Sequence, residues 1–187
     1  MSELDIVSNI QVAMTSTPVN IAVAVFLARW LVLGFGVFGV ALLMSRSAAR
    51  RHAVREAAWS AGLALAATTH VSAIIGRLRP DMLPLDPTAP VTLFIPEPLN
   101  ASFPSGHTAV SFAIASALFH IDRRLGLAAL LIALLVALGR VAVGVHFPSD
   151  IIGGIVIGIG STMTVRYLHG RIRTRDLNRT AKKHRHA

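Results

Sequence analysis

Five apolar stretches separated by short polar runs set the rhythm of this chain: Asn20 to Met44, Ala57 to Gly76, Ser105 to Ile121, Leu125 to Val145 and Ile151 to Leu168. A helix needs about 20 apolar residues to cross the hydrocarbon of a bilayer. Backbone at that depth must satisfy its own hydrogen bonds unless protein or water encloses it. The pattern therefore predicts an all-α, polytopic transmembrane bundle of about five spans, the third being the shortest. The first 18 residues lack a basic segment ahead of an apolar core, so they do not read as a secretory signal. A short surface helix there is compatible with the sequence. Residues 1–170 read as one membrane-embedded domain and 171–187 as a basic tail.

Composition strengthens this reading. Of 187 residues, 53% are hydrophobic and 14% charged, against about 25% charged in a typical soluble domain. The absence of cysteine removes disulfides, thiolate metal sites and cysteine nucleophiles together. A net charge of +9 raises the question of nucleic acid, and the placement of the cations answers it. Arg46, Arg50, Arg51 and Arg55 fill the first loop, and Arg123 and Arg124 the turn after the third span. Arg166, Arg171, Arg173, Arg175, Arg179, Lys182, Lys183 and Arg185 crowd the C-terminal end. All of these flank spans on one side, which the positive-inside rule makes cytoplasmic. The N-terminus, the loop 77–104 and the turn near His146 then lie outside. The tail is expected to touch anionic lipid headgroups, and no nucleic-acid partner is expected.

Four cations remain: Arg29, Arg77, Arg79 and Arg140. Arginine inside a span usually faces the bundle interior or a watery cavity. Arg77 and Arg79 close the second span and Arg140 lies near the end of the fourth, so three approach one outer region. Arg29 lies inside the first span, where snorkelling or an unseen acid would also account for it. The outer loop holds seven of the nine prolines, Pro80, Pro84, Pro87, Pro90, Pro96, Pro98 and Pro104. It is too irregular to span and longer than an idle connector needs to be. It ends in Phe103-Pro104-Ser105-Gly106-His107-Thr108, where Ser105 is placed to cap a helix. The open N–H groups of Gly106, His107 and Thr108 would make a phosphate-type anion site. Beyond the fourth span, His146 and Asp150 flank a turn that Pro148 suits as the first position of a helix. An acid folded back on an imidazole orients it and stabilises its cation.

Arg79-Pro80, Pro104-Ser105-Gly106-His107 and Arg140-x5-His146-x3-Asp150 together resemble the three-part signature of the type-2 phosphatidic acid phosphatase superfamily. That superfamily includes bacterial lipid phosphatases, undecaprenyl-pyrophosphate phosphatases and vanadium haloperoxidases. The resemblance implies that His146 is a nucleophile forming a phosphohistidine, that Asp150 holds its tautomer, and that His107 is the general acid. It further implies that Arg79, Arg140, Ser105 and the Gly106 amide cradle the phosphate oxygens. Phosphoryl transfer needs mainly positioning and charge stabilisation, guanidinium forks fit phosphate oxygens, and histidine changes charge near neutrality. No carboxylate cluster suggests a metal site, so metal-independent hydrolysis without a cofactor is expected. Two positions depart from the family pattern. Ser72 stands where a lysine is usual, with Arg77 the expected substitute as a phosphate ligand, and Gly139 stands where a serine commonly precedes the arginine. His70 reads as a packing residue, Gly153, Gly154, Gly158 and Gly160 as a close-packing series, and Asp81, Asp86 and Glu97 as solvated loop acids. The expected substrate is a membrane lipid phosphate or diphosphate, most like undecaprenyl diphosphate. Phosphatidylglycerophosphate and other phospholipids stay open as substrates. A haloperoxidase-like oxidoreductase and a non-enzymatic transporter or scaffold are the rival classes, and oligomeric state is left undetermined.

Overall fold

A computed structural model describes residues 2–44, 47–83, 91–96 and 100–185. Arg46, Pro84, Asp86, Pro87, Pro90, Glu97 and Pro98 lie outside the described residues, as do the side chains of Arg50 and of the tail cations from Arg173 onward. The elements among the described residues are all helical. They are α1 (Glu3–Met14), α2 (Pro18–Val25), a π-helical turn (Phe26–Trp30), α3 (Leu31–Leu43), α4 (Ala48–Ile75), a 3-10 turn (Pro80–Met82), α5 (Gly106–Phe119), α6 (Arg123–Ala142) and α7 (Pro148–Arg185).

Local chemistry explains most boundaries. Ser2 and Asp5 form a reciprocal capping box on α1. Thr17 caps α2 ahead of Pro18 at its first position, and Asp122 Oδ1 accepts from the Arg124 and Leu125 N–H groups at the start of α6. Each satisfies donors that a helix start leaves open. Gly76, at φ +61, ends α4 in the left-handed region that glycine enters without strain.

Four helical segments are long and apolar enough to cross a membrane: Pro18–Val37, Arg51–Met82, Arg123–Ala142 and Pro148–Arg171. The third expected span is instead the 14-residue α5, about 21 Å long at 1.5 Å per residue. The difference has a physical reason. Helix α5 lies in contact with α4, α6 and α7 and buries Ala109, Ala113, Ala115 and Ala117 completely, so its surroundings are mostly protein. Helix α6 by contrast exposes Leu127, Leu131, Leu134 and Leu138 on one stripe, as a lipid-facing helix does. The expected tail is no separate unit of backbone, because α7 runs unbroken through residue 171 to Arg185.

Small residues bring α7 onto α5. A Cβ on Gly154 would come within 2.7 Å of the Ser105 carbonyl oxygen, and one on Gly158 would collide with that of Ala109. Gly153 faces the Phe103 ring, whereas Gly160 has open space around it. Three of the four glycines therefore serve close approach. Helix α1 is more than a surface helix. Val7 and Gln11 are buried, and the Gln11 side chain donates to Thr92 O at 2.6 Å and accepts from Thr92 N at 2.9 Å. It thereby fastens the described loop segment 91–96 over the bundle.

Candidate active site

The turn from α6 to α7 supplies the central pair. Gly144 adopts φ +83, and a Cβ there would come within 2.6 Å of the Thr92 carbonyl oxygen, so glycine is required on both counts. Phe147 then becomes the N-cap of α7, and Asp150, at the third helical position, accepts from the Phe147 N–H at 2.8 Å. The same carboxylate accepts from Ser102 Oγ and from Arg77 Nη1 at 2.8 Å. It is fully buried and lies 3.4 Å from His146 Nδ1 through Oδ2. With three donors fixing the acid, the imidazole has one place to rest against it. Burial pushes His146 down to about 4, against the upward pull of Asp150. The free site therefore holds the ring neutral at pH 7, with a lone pair for attack or acceptance.

His146 borders a cavity of about 500 Å³ whose lining includes Arg29, Arg79, Gly106, His107 and Arg140. Among the described residues no carboxylate lines it, so the electrostatics of that lining favour an anion. The apolar lining comes from Val32, Leu65, Ile95, Pro96 and Val110. Arg79 and Arg140 differ sharply in their engagement. Arg79 is 1% exposed and donates to the carbonyls of Asn100, Ala101 and Val145. It ties the loop to the turn that carries His146 while bordering the cavity. Arg140 is also buried, yet among the described residues its one hydrogen bond is that of 3.4 Å from Nη1 to Ala28 O, and its Nε finds no partner there. A buried donor left unsatisfied costs on the order of 1–3 kcal/mol. Arg140 is therefore poised for a ligand that supplies oxygens.

Ser105 stands at the N-cap of α5, but its side chain makes no capping bond, contrary to expectation. Its hydroxyl instead accepts from Thr108 Oγ1 at 3.0 Å, while its N–H donates to Asp150 O. Gly106 opens α5 at the cavity wall, where an added Cβ would meet only Thr68 Oγ1 at 3.7 Å. His70 Nδ1 donates to Ala66 O at 2.7 Å, and the ring does not border the cavity.

Arg77 is not where its expected phosphate role requires. It donates to Glu3 Oε2 at 2.6 Å, to Ser149 Oγ at 2.5 Å and to Asp150 Oδ1, and lies over the Phe147 ring at 4.3 Å. It faces the back of the His146–Asp150 pair rather than the cavity, because two carboxylates draw it there. Ser72, at the position where lysine is usual, donates to Ala101 O. Sequence reasoning missed Glu3, Ser102, Asn100 and Gln11, all held at the site through contacts with distant segments. Glu3 also accepts from Ser149 N at 3.0 Å. Burial alone would raise its carboxyl, but the Ser149 and Arg77 hydrogen bonds outweigh it and hold the group below its ordinary value. Among the described residues no group of three His, Asp or Glu side chains is placed to hold a metal ion.

Residues 53–173 match the PAP2 superfamily. The undecaprenyl-diphosphatase BcrC of Bacillus subtilis is 38% identical over 69 residues, which cover 37% of this chain and 36% of that protein. YbjG of Escherichia coli, provisionally named an undecaprenyl-diphosphatase, is 33% identical over 83% of this chain and 77% of its own length. The match thus spans about a third of one relative and three quarters of the other. The crystal structure of Aquifex aeolicus LpxE superposes with a TM-score of 0.73 at 27% identity, over 88% of this chain and 94% of that one.

Proposed function

The chain belongs to the PAP2 superfamily, and from that premise we propose that it is a phosphatase of membrane lipids that acts without metal, with undecaprenyl diphosphate as its substrate and undecaprenyl phosphate and inorganic phosphate as its products. With Nδ1 directed at Asp150, the Nε2 lone pair of His146 attacks the terminal phosphorus in line. The new N–P bond replaces the P–O bond to the bridging oxygen, which leaves with the lipid phosphate and takes the proton that His107 gains once the anionic substrate is bound beside it. A water molecule then gives its proton to His107 and attacks the phosphohistidine, so phosphate departs and both imidazoles return to their starting states. Dividing one difficult displacement into two is the use of a covalent intermediate. Arg140, Arg79, Ser105 and the first-turn amide of Gly106 stabilise the planar phosphoryl group, which is the main demand of this chemistry.

The observation that carries the reading is the buried Asp150–His146 pair opening onto a cavity whose described charged lining is all cationic, with an under-satisfied Arg140. The charge bias of the loops supports a site at the outer face, with the basic end of α7 among cytoplasmic anionic headgroups. The test is phosphate release from undecaprenyl diphosphate by purified protein in detergent with chelator present. We expect turnover, inhibition by vanadate, and its near-complete loss in His146→Ala. Retained turnover in that variant overturns the mechanism. A panel of phosphatidate and phosphatidylglycerophosphate ranks the substrates, and a C-terminal fusion reporter that behaves as external overturns the orientation.

A further inference from the structure

Arg29 lies eleven residues into the first membrane-crossing segment, within the π-helical turn where Leu31 N–H reaches back five residues to Phe26 O. Such turns shift the register of side chains and are frequent at functional sites. This one is seated directly on α6. Arg140 Nη1 donates to Ala28 O, and a Cβ on Gly139 would come within 2.7 Å of Ala28 N and 2.9 Å of Leu27. Glycine at 139 is thus what lets the turn lie against the last coil of α6. The consequence is that Arg29 borders the same cavity as Arg140, His107 and His146.

Its charge has no counterpart among the described residues. Among the described residues no carboxylate pairs with Arg29, none lines the cavity, and the recorded neighbour of its guanidinium is the Trp30 ring at 5.4 Å. A cation inside a span needs an opposite charge or water. Val32, further along the same helix, gives the cavity apolar lining beside Arg29. A lipid whose tail follows that lining presents its lipid-linked phosphate to Arg29 and its terminal phosphate to His146. We propose that Arg29 binds the lipid-linked phosphate of a diphosphate, offsetting the charge that phosphate gains as it leaves, and so sets a preference for diphosphate over monophosphate headgroups. The proposal rests on the lipid phosphatase reading above.

The test compares farnesyl diphosphate with farnesyl phosphate in the wild type, Arg29→Gln and Arg29→Lys, each checked for its thermal midpoint in detergent. We expect the diphosphate-to-monophosphate ratio of kcat/KM to fall at least tenfold in Arg29→Gln and to recover in part in Arg29→Lys. A smaller change in the ratio overturns the proposal. If the wild type hydrolyses neither substrate, the phosphatase reading fails by itself. Calorimetry with inorganic pyrophosphate and inorganic phosphate then decides the site. A pyrophosphate preference lost in Arg29→Gln upholds the anion subsite, and its absence from the wild type overturns it.

Discussion

Helices α4 and α7 run antiparallel and are joined near both ends by an arginine and a buried carboxylate. At one end Arg166 Nη1 meets Glu56 Oε1 at 2.8 Å; at the other Arg77 Nη1 meets Asp150 Oδ1 at the same distance. The two joints are 16 residues apart along α7, about 24 Å at helical rise. Glu56 answers to Arg166, itself 39% exposed, and to a surface His52 at 3.8 Å, and neither borders the cavity. Asp150 also accepts from Ser102 and the Phe147 N–H and lies 3.4 Å from Nδ1 of the His146 ring, and that ring borders the cavity. A buried ion pair by itself is weak evidence of anything beyond helix registration. It becomes chemistry where the carboxylate also orients a titratable group that meets a ligand.

The sharpest way to break this contrast is to remove the acid at each end. Asp150→Asn keeps the shape but withdraws the charge and allows the wrong tautomer of His146, a change that costs on the order of 10⁴ in kcat in an acid–histidine system of similar logic. We expect a loss of about 10³ to 10⁴ in phosphate release. Glu56→Gln should leave kcat/KM of the folded protein within about threefold. Comparable losses in the two variants would erase the distinction between the ends.

A step smaller, Arg77→Met and Glu3→Gln test whether the back of the pair positions the front. Neither side chain borders the cavity, so binding should survive: we expect kcat to fall about 10- to 100-fold with KM within threefold, the mark of an interaction felt at the transition state. Arg77→Lys should restore only part, because one ammonium cannot span Glu3, Ser149 and Asp150 as the guanidinium fork does. A rise in KM at constant kcat would return Arg77 to the role of phosphate ligand. At the other end Arg166→Met strands Glu56 without its partner. We expect a stability loss of about 1–3 kcal/mol, read as a lower thermal midpoint, with little change in the activity of what stays folded.

The sequence makes the helical bundle and the cavity-lining His107, His146, Arg79 and Arg140 legible, because apolar periodicity and short-range spacing are written along the chain. Asp150 was legible for the same reason, lying one helical turn from His146. Arg77 misled because spacing places a residue near a site without saying which way its guanidinium points, and that was decided by Glu3, 74 positions earlier. Glu3 itself carries no local signal beyond a helix cap. Arg29 is the converse: a span-embedded cation is visible in the sequence, but its arrival at the cavity depends on a π turn and on Gly139. Gly139 entered the sequence reading only as a lost hydroxyl, and its packing role appears once Leu27 and Ala28 are beside it. The length of α5 was overestimated because an enclosed helix and a lipid-facing one look equally apolar.

The finest contrast is in acid. His146 is buried and held near 4, far below its ordinary 6.5, by desolvation that outweighs Asp150, with Arg140 and Arg79 also opposing protonation. A base whose folded value is depressed is protonated more readily in the unfolded chain, so acid favours unfolding. Its stabilising contribution is complete above about 6.5 and is lost as the pH falls towards 4. Glu3, a carboxyl held below its ordinary 4.5, keeps its contribution down to about that pH and loses it only below. Thermal midpoints of the wild type, His146→Gln and Glu3→Gln, measured from pH 8 to 3.5, should therefore separate two windows. The difference between wild type and His146→Gln should shrink between pH 6.5 and 4, and that between wild type and Glu3→Gln only below about 4.5. A His146→Gln curve parallel to the wild type throughout would mean that the ring is not desolvated in the free protein, and the Asp150 joint would then be as wet as the Glu56 one.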